Sequence, residues 1–422
     1  MATANISPVE REDYLNKHYG VSSWLFTTDH KRIALLYLIS ITLFFFIGGF
    51  FALLIRLELL TPASDLVQAD TYNKLFTQHG MGGKTDENIE ALEVVTYDGV
   101  RLELSSAGLR PAVARAASPR TANDSRTSAR ADQITSALKQ IAETYATQIR
   151  QKYPQIPRRV SGYNLNYLLP ENGFHIARAL VGSEGTCATV LEATCRLVES
   201  PPQRVLAVVA YPDIYQCADH IPEILEYKPI GLEGFDDLLV YYERTKGINT
   251  EGLALLPEGA GWLMVEFGSE SIPGAELQAQ RMIDALRRSP TPPNVSLYSG
   301  ANAKRIWEIR ESSLGATSHV PGEPLNWEGW EDAAVAPEKL GAYLRDLRKM
   351  MADFNYKGSL YGHFGHACVH TRLNFDLQSE EGIAKYRKFV EEAADLVVSY
   401  GGSLSGEHGD GQARAEDRKS VV

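Results

Sequence analysis

An uncharged apolar run extends from Ile33 to Ile55, bounded by Lys31-Arg32 on one side and Arg56 on the other. A bilayer core needs about 20 apolar residues in helical form, so this pattern predicts one transmembrane helix over 33–55 and a single-pass membrane placement. Residues 1 to about 30 are polar and show no cleavable signal pattern, and Lys31 and Arg32 favour a cytoplasmic N-terminus. Past Gly82 the pattern changes. Ala91–Thr96 and Val100–Leu104 flank Tyr97-Asp98-Gly99, a strand–turn–strand signal. Ser105 to Arg130 is rich in Ser, Ala and Arg, holds Pro111 and Pro119, and reads as a solvated flexible segment. Ile134, Leu138, Ile141, Tyr145 and Ile149 recur at helical spacing. Cys187, Cys195 and the apolar residues between them are expected in a core. From Arg204 onward strands and helices alternate, with strands over Val205–Tyr211 and Trp262–Phe267 and helices over Gln278–Leu286 and Pro337–Phe354. This order predicts an α+β domain on an antiparallel sheet. A last helix carries Ile383, Tyr386, Phe389, Ala393, Leu396, Val397 and Tyr400 on one face and stops at Gly401.

The chain of 422 residues has room for two or three domains. A net charge of -11 and a pI near 5.5 argue against a nucleic-acid partner, which needs clustered cations. The four cysteines show no CxxC spacing, so neither an iron–sulfur cluster nor a disulfide framework is indicated.

The chemistry gathers in two stretches. Tyr361-Gly362-His363-Phe364-Gly365-His366-Ala367-Cys368-Val369-His370 alternates like a strand, and a straight strand would put His363 and His370 on opposite faces. Gly365 lies between them, and a glycine inside a strand marks a bulge or bend, one such irregularity bringing both imidazoles to one side. After the last helix, Gly406-Glu407-His408-Gly409-Asp410-Gly411 sets a Glu-His pair among glycines. Two histidines and a carboxylate form a set that borderline divalent metals accept. Farther upstream, Gly182-Ser183-Glu184-Gly185-Thr186 follows an apolar run, a turn able to offer backbone N–H groups to an anion.

On these residues the chain resembles the FAD-linked oxidases, the family of D-lactate, glycolate and D-2-hydroxyglutarate dehydrogenases. His363, His370 and the Glu407-His408 pair match the pattern of its metal-dependent members, and the likeness runs from about Gly82 to Arg414, nearest to large bacterial proteins that fuse this module to an iron–sulfur domain. The resemblance implies a partial FAD-binding (PCMH-type) domain over 82–203 and a C-terminal substrate and metal domain over 204–416. It implies a divalent metal, zinc foremost, on His363, His370 and Glu407. His408 would take the substrate hydroxyl proton and Arg310 would hold the substrate carboxylate. Gly162, Tyr163 and Asn164, with Gly182, Ser183, Glu184, Gly185 and Thr186, would line the flavin. The implied activity is FAD-dependent oxidation of a small D-2-hydroxy acid; no residue points to the electron acceptor, and such a flavin module by itself is cytoplasmic. Where metal-dependent members often carry a lysine, this chain has Gly329-Trp330-Glu331-Asp332, without a cation.

A different resemblance covers residues 1–81. Trp24-Leu25-Phe26-Thr27-Thr28-Asp29-His30-Lys31-Arg32-Ile33, Gly48-Gly49 and Leu75-Phe76-Thr77-Gln78-His79-Gly80 look like the start of haem-copper cytochrome oxidase subunit I, with His79 where that family places a haem ligand. The further membrane helices and copper histidines do not follow, so no haem is expected. The alternative function, a respiratory haem-copper oxidase subunit, rests on this segment alone. The expectation is a chimaera of the two families, with 417–422 resembling a translated sequencing adapter and the flavin module truncated and inactive as written.

Overall fold

The computed structural model describes residues 85–111, 125–197 and 200–408. Residues 33–55 and His79 lie outside them. The membrane placement expected from 33–55 is corrected: no helix among the described residues is long and apolar enough to cross a membrane. The longest, α1 (Ser125–Lys152), carries Arg130, Asp132, Lys139, Glu143, Arg150 and Lys152 along its length, charges that a hydrocarbon core does not accept.

The smaller part of the fold is an antiparallel four-stranded sheet in the order β3-β2-β1-β4, from β1 (Ile89–Val95), β2 (Arg101–Ser105), β3 (Gly108–Pro111) and β4 (Thr189–Cys195). Leu92, Val94, Leu102 and Leu104 alternate inward from β1 and β2 and meet Ala131 and Ala142 of α1. The solvated segment expected over 105–130 is therefore in part ordered. Gly108, at φ +105°, turns the chain back so that β3 pairs with β2, and α1 starts at Ser125. Cys187 and Cys195 are exposed rather than in a core: Cys187 lies in the turn before β4, and Cys195 ends β4, an edge strand with every residue open to solvent.

The larger part is a seven-stranded antiparallel sheet ordered β8-β5-β7-β6-β10-β11-β9. Its strands are β5 (Gln203–Tyr211), β6 (Gly231–Asp236), β7 (Gly261–Ser269), β8 (Asn294–Tyr298), β9 (Ala333–Ala334), β10 (Gly358–His363) and β11 (Cys368–Leu373). Val205–Tyr211 reads as an unbroken apolar run because helices cover both faces. Ala207, Val209, Leu263 and Val265 face one side with α2 (Ile214–Asp219), α4 (Ile272–Leu286), α6 (Leu340–Asp353) and α7 (Glu380–Ser399). Leu206, Val208, Met264 and Tyr361 face the other with α3 (Asp237–Lys246) and α5 (Gly300–Glu311). The result is an α+β fold on antiparallel sheets. The segment Arg158–Ser161 links the two parts across the fold: Val160 N donates to Ser405 O at 3.1 Å, and Ser405 N donates to Ser161 Oγ at 3.2 Å.

Candidate metal and substrate site

His363 and His370 do converge, by a route other than a bulge. Phe364–His366 form one turn of 3-10 helix, Ala367 takes a left-handed φ of 50°, and the chain reverses into a hairpin. The register pairs Tyr361 with His370 and His363 with Cys368. His363 lies two residues from Tyr361 and so shares its face, which places the two imidazoles diagonally on one side of the sheet. Their ring centroids are 5.1 Å apart. His366, on the turn itself, meets Arg158 Nε through Nδ1 at 3.2 Å and stays out of the group.

Each imidazole is held from behind. Glu233 Oε1 sits 2.8 Å from His363 Nδ1, and Asp332 Oδ1 sits 2.6 Å from His370 Nδ1. The Glu233 hydrogen bond fixes the N–H on His363 Nδ1, and the Asp332 carboxylate, close to His370 Nδ1 though not aligned with it, favours the same tautomer there, so that both Nε2 atoms face forward. They point to Glu407 Oε2, 2.8 Å from His363 Nε2 and 3.6 Å from His370 Nε2. No donor meets that oxygen in hydrogen-bond geometry. Three acceptors turned to one point leave a place for a cation. Burial alone would lift the Glu407 carboxyl, but His363, His370 and Arg158 hold it down to about 2. Burial likewise pulls His363 down, yet Glu233 and Glu407 outweigh it and its pKa is raised, whereas burial prevails at His370 and lowers it. A proton on His363 Nε2 would occupy the point on which the three atoms converge.

Asp332 organises the rest. It is fully buried with a left-handed φ of 66°. Its second oxygen lies 2.6 Å from His408 Nδ1, and its carbonyl accepts from Gly406 N at 2.7 Å. The hydrogen bond to Asp332 raises His408 to about 9, so in this arrangement the ring holds a proton at neutral pH. Arg310, in the last turn of α5, donates from Nε to Glu233 Oε2 at 2.9 Å and lies over the Tyr361 ring at 5.5 Å. Glu233 thereby bridges Arg310 to His363. Arg372, two residues beyond His370 on the same face, is a buried cation paired with Glu328. Nothing in the spacing of the motifs announced Glu233, Asp332, Arg158 or Arg372.

The two glycine turns also come together. Tyr163 Oη lies 2.8 Å from Thr186 Oγ1, and Asn164 Nδ2 donates to Val181 O at 2.9 Å. Gly162, Gly182, Glu184 and Gly185 all take positive φ, and Ser183 is buried between them. Asn164 Oδ1 is buried with no donor, an acceptor that fits a polar ligand held at this face.

Residues 200–419 match the family described as FAD linked oxidases, C-terminal domain, and the chain belongs to that family. Among its relatives it is 27% identical over 341 residues to the D-2-hydroxyglutarate dehydrogenase of Pseudomonas putida, across 78% of this chain and 33% of that protein. It is 24% identical over 249 residues to the glycolate oxidase subunit GlcD of Bacillus subtilis, across 58% of this chain and 50% of that one. Residues 32–83 match cytochrome c and quinol oxidase polypeptide I. This segment is similar to cytochrome c oxidase subunit 1 of Corynebacterium glutamicum, 41% identical over 78 residues, 18% of this chain and 13% of that one. The chain thus joins segments of two unrelated families, and it spans about a third of the length of the D-2-hydroxyglutarate dehydrogenases it matches.

Proposed function

We propose that residues 85–408 are the metal- and substrate-holding part of an FAD-dependent dehydrogenase of small D-2-hydroxy acids, with residues 85–197 the rear of a PCMH-type flavin domain. The observation that carries this reading is the convergence of His363 Nε2, His370 Nε2 and Glu407 Oε2, each imidazole backed by a carboxylate. Such a donor set fits zinc. When bound, flavin would supply the two-electron acceptor and the divalent ion the positive charge that favours loss of a hydroxyl proton. Arg310 would grip the substrate carboxylate through its guanidinium, since Glu233 takes only Nε. His408 has Nδ1 committed to Asp332, so Nε2 is the atom to exchange the hydroxyl proton. The proton it holds in the present arrangement must leave before it can act as a base. Gly162–Asn164 and Gly182–Thr186 would present the flavin face, joined to the Glu407 loop through Ser161.

The metal assignment is tested by elemental analysis of the purified chain and of His370→Ala. About one divalent ion per chain is expected in the first and a loss of most of it in the second. Equal metal in both would overturn the reading.

A further inference from the structure

Arg158 is a cation placed where the proposed metal would exert its charge. Its Nη1 lies 3.3 Å from Glu407 Oε2, the same oxygen that faces both imidazoles, and its side chain is 15% exposed. The pair is close enough for strong attraction, yet Oε2 gains no aligned hydrogen bond from it. The arginine is held there by its surroundings. Its Nε is engaged with His366, and Val160 and Ser161, next in the chain, bind the backbone of Ser405. A Cβ on Gly406 would come within 3.2 Å of Arg158 Cβ and 3.0 Å of Cys368 Sγ. The glycine before Glu407 therefore leaves the room that the arginine stem occupies.

From this geometry we infer that Arg158 is a built-in counter-cation: it neutralises Glu407 while the metal is away, and metal binding has to displace it. The inference rests on the metal reading above. A guanidinium beside a dication in a partly buried site is strongly repelled, and Glu407 can serve only one of them fully. The displaced side chain has somewhere to go. Arg158 borders a cavity of about 760 Å³ that also carries Arg204 and Lys304; of its wall carboxylates, Glu233 is engaged with Arg310 and His363 and Glu266 with Arg204, so Glu311 is the one a displaced guanidinium would meet. Arg158 thus sets the metal affinity from outside the ligand set, as a positioning residue.

The sign of one measurement separates this role from a structural one. Zinc affinity of the 422-residue chain is read by competition with a chromogenic chelator. Arg158→Met keeps the stem against Gly406 and removes the charge, and it should bind zinc about tenfold tighter than the parent, as expected from removing one nearby like charge. Arg158→Gln is a second neutral variant, for use should the first not fold, and carries the same expectation. Arg158→Lys retains a cation and should stay within about threefold of the parent. A strap that merely holds the loop would give weaker binding in every variant. If a folded neutral variant binds zinc no tighter than the parent, the counter-cation role is wrong while the metal site stands. If the parent itself takes up no zinc, the metal reading fails and this inference with it.

Discussion

The Asp332 carboxylate meets His370 Nδ1 and His408 Nδ1 at 2.6 Å each, and a backbone N–H of His408 at 3.1 Å. Burial would raise its pKa, but these two imidazoles hold it far below the usual carboxylate range. Asp332→Asn keeps the shape, and asparagine tolerates the left-handed backbone, but it removes the negative charge behind both rings. Zinc affinity should fall by about 10–100-fold, the usual cost of losing a carboxylate behind a ligand histidine, and the chelator competition assay would show it; unchanged affinity would deny Asp332 that role. A second buried acid acts on stability alone. Glu243 is fully buried against the Ser312 hydroxyl and the Asn249 amide. Burial raises it from 4.5 to about 7, those two donors offsetting only part of the rise. Between these values the folded chain keeps a proton that the unfolded chain has lost, so stability falls as pH rises through that window and levels off above it. Glu243→Gln has no proton to lose. Relative to it, the parent should lose on the order of 2–3 kcal/mol between about pH 4.5 and 8, read from denaturant melts. Parallel pH profiles for the two proteins would contradict this.

At the scale of elements, the two histidines proposed as ligands depend on the β10–β11 hairpin, and the hairpin depends on Gly362. That residue takes φ +146°, and a Cβ there would sit 2.6 Å from the Cys368 carbonyl oxygen and 3.2 Å from the His370 ring. Gly362→Ala should destabilise the fold by about 2 kcal/mol or more and push His370 out of register, seen as a lowered melting temperature together with lost zinc. Much of this architecture was legible in the sequence. The apolar spacing of Leu340, Leu344, Leu347 and Met351 marks α6, and Val205–Tyr211 marks β5. The hairpin was not, because Phe364-Gly365-His366-Ala367 carries no Asn-Gly or Asp-Gly signature and its left-handed position is an alanine. Glu233 and Asp332 were equally silent. They reach the histidines only through the pairing of β6 with β10 and of β9 with β11, and long-range pairing leaves no mark in local spacing.

For the whole molecule, the two families joined in one chain bear on the flavin. The described residues offer the turns at Gly162–Asn164 and Gly182–Thr186, while residues 32–83 match cytochrome c and quinol oxidase polypeptide I. Two turns forfeit most of the contacts that would offset the entropy lost on binding a large cofactor. The purified 422-residue chain should therefore carry little FAD and show no turnover of D-2-hydroxy acids. A yellow preparation with stoichiometric flavin absorbance, bleached by D-lactate or D-2-hydroxyglutarate, would contradict this.

The Arg158–Ser161 strap also fixes the order in which the site can form. Its hydrogen bonds to Ser403 and Ser405 span 242 and 244 positions, and closing so long a loop is entropically costly until both ends have partly folded. The hairpin that brings His363 to His370 closes over only a few residues and can form early. Glu407 must wait for the chain on both sides of the large sheet. In a refolding experiment the paired histidines should precede the complete ligand set, so capacity for tight zinc binding should appear in the last kinetic phase, after the helical signal has recovered.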